Sequence, residues 1–144
     1  MIVTVMATNV QFSIAIHLMT ALACGCDKDL TSADLAKSVN TSASFVRRIL
    51  AKLSKSGLVE TTTGQGGKCR LARDAKEISL LDIYRAVDAP RAFAIHNYSE
   101  QKACFVSCHI KSALEKALNK TQEAMEASLN GISLTRVVTE VRKK

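Results

Sequence analysis

Tryptophan is absent from the 144-residue chain, Pro90 is its single proline, and aromatic residues make up only 4% of it. With Ala, Leu, Ser and Lys dominant instead, the composition favours helices with little sheet, and a mostly α fold is expected. A long uninterrupted apolar run is missing too. Gln11, Ser13 and His17 break the stretch from Val10 to Cys24, and no cluster of basic residues precedes it, so neither a membrane span nor a signal peptide is expected. The expected location is the cytoplasm, with no membrane partner. No nucleophile-base-acid set is recognisable. Gly64-Gln65-Gly66-Gly67 precedes a strand pattern rather than a helix, so it is not a phosphate-binding loop, and an enzyme is not expected.

What is present bounds the answer from the other side. A chain of this length with 47% apolar residues buries one substantial core and carries a short extension. Its net charge of +7 makes a polyanion a natural partner, because each cation placed on a phosphate releases condensed counterions. Five cysteines in a reducing compartment are not a disulfide framework, and the odd number leaves at least one thiol unpaired.

Along the chain, helical spacing of Val10, Ile14, His17/Leu18 and Leu22 predicts a buried first helix over 8–24. A second helix follows Thr31 or Ser32 as cap, with Leu35, Ala36 and Val39 inward. The polar break Asn40-Thr41-Ser42 leads into a third, Ala43 to Ser56, ended by Gly57 in a left-handed cap. The period then changes. Leu58 to Thr63 reads as a strand, the Gly-rich stretch 64–67 as a turn, and Lys68 to Ala72 as the returning strand. Ser79 caps an amphipathic helix to Val87 that Pro90 closes. After a mixed loop, Ile110, Leu114, Ala117/Leu118, Thr121, Met125 and Leu129 form a narrow apolar stripe on one long helix, which an identical helix of a second subunit would cover most simply. Ser133 caps a last short helix. The expected organisation is a winged helix-turn-helix domain with a two-stranded wing over 1–90, a sensor loop over 91–103, and a dimerisation helix with a short C-terminal helix over 104–144.

A helix-turn-helix reads DNA with the polar side chains of its second helix in the major groove. Thr41, Ser42, Ser44, Arg47 and Arg48 open that helix here, Lys52 follows, and the wing adds Gln65, Gly66, Gly67, Lys68 and Arg70. Between 41 and 73 seven basic residues face one acid, Glu60, so a net +6 of the chain's +7 lies in this segment. Double-stranded promoter DNA is the expected partner. A basic helix and hairpin that bind only protein partners, without affinity for DNA, is the alternative from another class.

The segment from Ser42 to Val59, Ser-Ala-Ser-Phe-Val-Arg-Arg-Ile-Leu-Ala-Lys-Leu-Ser-Lys-Ser-Gly-Leu-Val, followed by Gly64-Gln-Gly-Gly-Lys-Cys-Arg-Leu-Ala-Arg73, resembles the Rrf-two family of bacterial transcription regulators. The likeness extends to His17 on the first helix, Ile78-Ser79-Leu80-Leu81-Asp82-Ile83 after the wing, a cysteine-bearing loop, and a long helix closing with Ile132-Ser133-Leu134. It implies homodimers on palindromic promoter sites, mostly repressors. Ser42, Ser44, Arg47 and Arg48 would then read DNA, with Gly66, Gly67, Lys68 and Arg70 in the wing. Cys69 departs from the family, which more often has an aromatic residue there.

Many relatives hold an iron-sulfur cluster on three loop cysteines, whereas this loop has Cys104-Phe-Val-Ser-Cys108-His109. The expectation is therefore no cofactor. Cys104, Cys108, His109 and His17 remain as ligands if a cluster or another metal is bound. Cys104-Phe105-Val106-Ser107 is more similar to cluster-free relatives in which one loop thiol senses oxidants or small electrophiles such as hypochlorite and quinones. A thiol at a helix N-terminus ionises more readily, which is the property such a sensor needs. Cys108 and Cys26 are the further redox candidates, Cys26 through a disulfide to another subunit or to a loop cysteine. Cys24, two residues before it, reads as a core residue.

Overall fold

The computed structural model describes residues 2–25, 29–62 and 67–143, with side chains from residue 10 onward. Local capping chemistry sets most helix starts. After α1 (Ile2–Cys24), Thr31 caps α2 (Ser32–Val39) in a capping box: its hydroxyl accepts from the Asp34 N–H at 3.1 Å, and the Asp34 carboxylate accepts from the Thr31 N–H at 3.0 Å. Asn40, at φ 69°, ends α2 in the left-handed region, and two residues later Ser42 caps α3 (Ala43–Lys55). Gly57, at φ 76°, turns the chain out of α3, where a side chain would be strained. Ser79 with Asp82 repeats the capping box at α4 (Leu80–Ala86), Cys104 caps α5 (Phe105–Asn130), and Ser133 caps α6 (Leu134–Arg142). The fourth helix ends before Pro90, at the left-handed Asp88 with φ 51°.

The wing is the expected two-stranded hairpin, and a third short strand extends its sheet. β2 (Val59–Thr61) and β3 (Lys68–Leu71) pair antiparallel, and a short β1 (Leu30–Thr31) adds on the other side of β3, giving the order β1-β3-β2. Leu30 lies opposite Cys69 and Thr31 opposite Lys68, so β3 is the central strand.

One core joins these elements. Leu18 and Met19 of α1, Leu35 of α2, Ile49 and Leu53 of α3, Ile83 of α4 and Leu134 of α6 are all fully buried in it. α6 thus belongs to the packed body: it lies along α1, and Ser79 and Ser133 form a β-bridge that ties the segments before α4 and α6. α5 is different. At 26 residues it is about 39 Å long, yet its contacts with the body run mainly to α4. Its expected apolar stripe is only half-buried, Thr121 is exposed, and the residue buried on it is Gln122. No helix among the described residues is long and apolar enough to cross a membrane.

Candidate nucleic-acid interface and thiol loop

The capping of α3 sets which of its side chains are exposed. Ser42 Oγ accepts from the Phe45 N–H at 3.3 Å, which exposes Ser42, Ser44, Arg47 and Arg48 on the first turns while Val46, Ile49, Leu50 and Leu53 face the core. Thr41 is half-buried. The two arginines diverge. The Arg48 guanidinium sits 5.3 Å from the Phe45 ring centroid, a cation–π contact that restrains it, whereas Arg47 turns toward the sheet. There it lines, with Ser54 and Lys55 of α3 and Thr61 and Gly67 of the wing, a cleft of about 830 Å³.

On the wing, Lys68 is exposed and its N–H donates to Thr62 Oγ1 at 2.8 Å. Arg70 is held by its cross-strand neighbour Glu60 at 3.1 Å, both side chains well exposed. Cys69 is buried at the floor of the cleft, and burial pushes its thiol pKa up, so it is a poor nucleophile. Gln65 and Gly66 lie outside the described residues. Lys52 is placed apart from the other cations: its ammonium donates to Gln11 Oε1 at 3.1 Å, half-buried between α3 and α1. Among the described residues Arg47, Arg48, Lys55 and Lys68 form no ion pair, so these four present uncompensated charge on α3 and the wing. Lys55, which the sequence reads as one of the outward cations of this helix but not as a DNA contact, lines the same cleft as Arg47.

Cys104 stands exposed at the start of α5, its Sγ accepting from the Ser107 N–H at 3.5 Å. Ser107 Oγ in turn accepts from the Gln101 N–H at 2.8 Å, closing the loop onto the helix. One turn on, the half-buried Cys108 thiol points at the carbonyls of Gln101 and Lys102, 3.6 and 3.8 Å away. His109 stacks on Phe105 with ring centroids 4.4 Å apart and donates from Nδ1 to the Phe105 carbonyl at 2.8 Å. His17, expected on the inward face of α1, is instead exposed and bonded to Ser38 Oγ at 2.9 Å. These groups do not make a ligand set for a cluster within the described residues of one chain. Cys108 and His109 are engaged with backbone carbonyls, and no group of three or more His, Cys, Asp or Glu converges there. Cys26 lies outside the described residues, and Cys24 is half-buried at the end of α1.

Comparison with known proteins agrees with this geometry. The Rrf2 family model, described as an iron-dependent transcriptional regulator, matches residues 8–140. The HTH-type transcriptional regulator YwnA of Bacillus subtilis is 34% identical over 134 residues, 92% of this chain and 98% of its own. A crystal structure described as a DNA-binding protein superposes with a TM-score of 0.71 at 32% identity, covering 88% of this chain and 97% of that one. A transcriptional regulator from Lactobacillus plantarum, 22% identical and covering 93% of this chain and 91% of its own, shares the fold with a TM-score of 0.80. With its matched helix-turn-helix, its winged sheet and its long penultimate helix, this chain belongs to the Rrf2 family of DNA-binding transcription regulators.

Proposed function

We propose that this regulator is a homodimeric repressor that reads palindromic promoter DNA with α3 and the wing, and releases it when Cys104 is modified. Ser42, Ser44 and Arg48 face the base edges, while Arg47, Lys55 and Lys68 hold phosphates beside the cleft. The observation that carries the reading is the position of Cys104: an exposed thiol at the N-terminus of a helix whose contacts with the body run mainly to α4, beside Phe105 and Val106, which are 78% and 62% exposed. Such apolar side chains call for a cover, and a second copy of α5 supplies one.

Addition of the Cys104 thiolate to a quinone forms an S–C bond and leaves a hydroquinone ring once a proton is taken from water. Hypochlorite takes the same thiol to sulfenic acid with chloride as the product. Either adds bulk or polarity at the dimer seam. The two recognition helices must stand about 34 Å apart, so a small rotation at that seam is enough to break one set of contacts.

The test is an operator titration with and without quinone or hypochlorite, on wild type and Cys104→Ser, using protein purified without oxygen and analysed for iron and visible absorption. Loss of the response in Cys104→Ser with DNA binding kept supports the thiol switch, and a full response in that variant refutes it. Stoichiometric iron with charge-transfer absorption replaces it by a metal-sensing regulator, in which the partner subunit completes the ligand set.

A further inference from the structure

Gln122 is the only residue of α5 among those described that is buried, at 5% exposure, and it is polar on a helix whose apolar residues are only half-covered. Its amide makes hydrogen bonds from both ends to α4 and the segment that leaves it. Its Nε2 donates to Tyr84 Oη of α4 at 2.9 Å, and its Oε1 accepts from the Ala92 N–H at 3.0 Å. The Tyr84 hydroxyl then donates to the Pro90 carbonyl at 2.6 Å, so the same pair holds both ends of the chain leaving α4. On its other side the Tyr84 ring packs edge-to-face on Phe12 of α1, 5.3 Å between centroids at 86°. Phe12 adjoins Gln11, the residue that grips Lys52 of the recognition helix.

An apolar seam between two helices tolerates sliding and rolling, because one methyl replaces another at little cost. A buried amide does not, since a shift stretches or breaks hydrogen bonds that its polar atoms make where water has little access. We propose that Tyr84 and Gln122 are positioning residues that fix the angle of α5 on the winged body, and thereby the spacing between DNA half-sites that the dimer accepts. This rests on the dimeric reading above. From Gln122 to the start of α5 at Phe105 the helix runs about 26 Å, so a tilt of about 5° at the junction moves that end about 2 Å, more than half of a base-pair step of about 3.4 Å. The contact through Phe12, Gln11 and Lys52 keeps α3 in the same frame, so the angle set at Gln122 is expressed at the DNA.

The experiment uses the full chain. A binding sequence is first selected from random duplexes, then presented as a single half-site and as two half-sites at the selected spacing and at one and two base pairs more or less. Tyr84→Phe removes only the hydroxyl and keeps the ring on Phe12, so it remains informative should Gln122→Leu fail to fold. The expected result is that Tyr84→Phe keeps wild-type affinity for the half-site, within about twofold, while the preference for the selected spacing over its one-base-pair neighbours falls at least fivefold. The double variant should fall by less than the two single effects combined, because both substitutions break the same Gln122–Tyr84 hydrogen bond. A wild-type spacing profile in Tyr84→Phe overturns the proposal, even if its melting temperature is lowered. Wild-type protein that binds one half-site as tightly as two removes the dimeric reading and the proposal together.

Discussion

Replacing Arg47 by alanine takes one cation from the rim of the cleft between α3 and the wing in each protomer. Arg47, Lys55 and Lys68 are the cations we place on phosphates, three per protomer and so six in the dimer. With about 0.9 counterion released per phosphate contact, log K should fall against log salt with a slope of about −5. Between about 50 and 200 mM salt that is a loss of roughly a thousandfold in affinity. Arg47→Ala leaves four contacts, a slope of about −3.6 and a loss of roughly 150-fold over the same range. The assay is a fluorescence anisotropy titration of both proteins on one duplex at several salt concentrations. A slope unchanged by the substitution would show that Arg47 touches no phosphate. A wild-type slope near zero would sink the DNA interface altogether and favour the protein-binding alternative.

Other outcomes follow from the same geometry. Arg48→Ala should weaken binding to the selected sequence by about 1–3 kcal/mol and relax the choice of base at one position of each half-site, with the melting temperature unchanged. An equal loss on every sequence would instead make Arg48 a phosphate contact. Leu53→Ala empties a fully buried position in the core behind the recognition helix and should cost about 2–5 kcal/mol in a urea unfolding titration. A cost under about 1 kcal/mol would mean that the core closes around the gap. The Asp34 carboxyl is held below the usual aspartate range, first by the Thr31 N–H and then by the Thr31 hydroxyl. Its contribution to stability is therefore complete above the ordinary aspartate pKa and fades as pH falls through the lowered value in the folded state. Asp34→Asn should flatten the acid side of the melting-temperature profile below about pH 4, and an unaltered acid slope there would refute that role.

The parts of the fold legible in sequence are those written in local signals. Thr31, Ser42, Ser79 and Ser133 announce helix starts because a capping hydroxyl works within three residues of chain, and Gly57 announces an end for the same reason. The parts that were not legible depend on distant partners. β1 is two residues long, too short for any periodicity, and is a strand only because Leu30 and Thr31 meet β3 across the sheet. Lys52 reads as one more outward cation until Gln11, 41 residues earlier, is placed beside it. Thr121 reads as seam while its neighbour Gln122 falls outside the apolar stripe, since nothing near them in sequence reveals that Tyr84 lies under the helix. His17 sits where the apolar face of α1 gives way to solvent, a boundary that a step of about 100° per residue resolves only coarsely. The clustering of charge on α3 and the wing, by contrast, needed no partner to be visible.

Thr31 closes β1 and at the same time caps α2, so the sheet and the helix-turn-helix share a residue. Wing and recognition helix are then parts of a single rigid tool, and tugging on one strand strains the first turn of α2. A protein engineer who wished to give this regulator another operator could not exchange α3 or the hairpin alone. The transplantable unit is the whole block from Leu30 to Leu71, handled as one cassette.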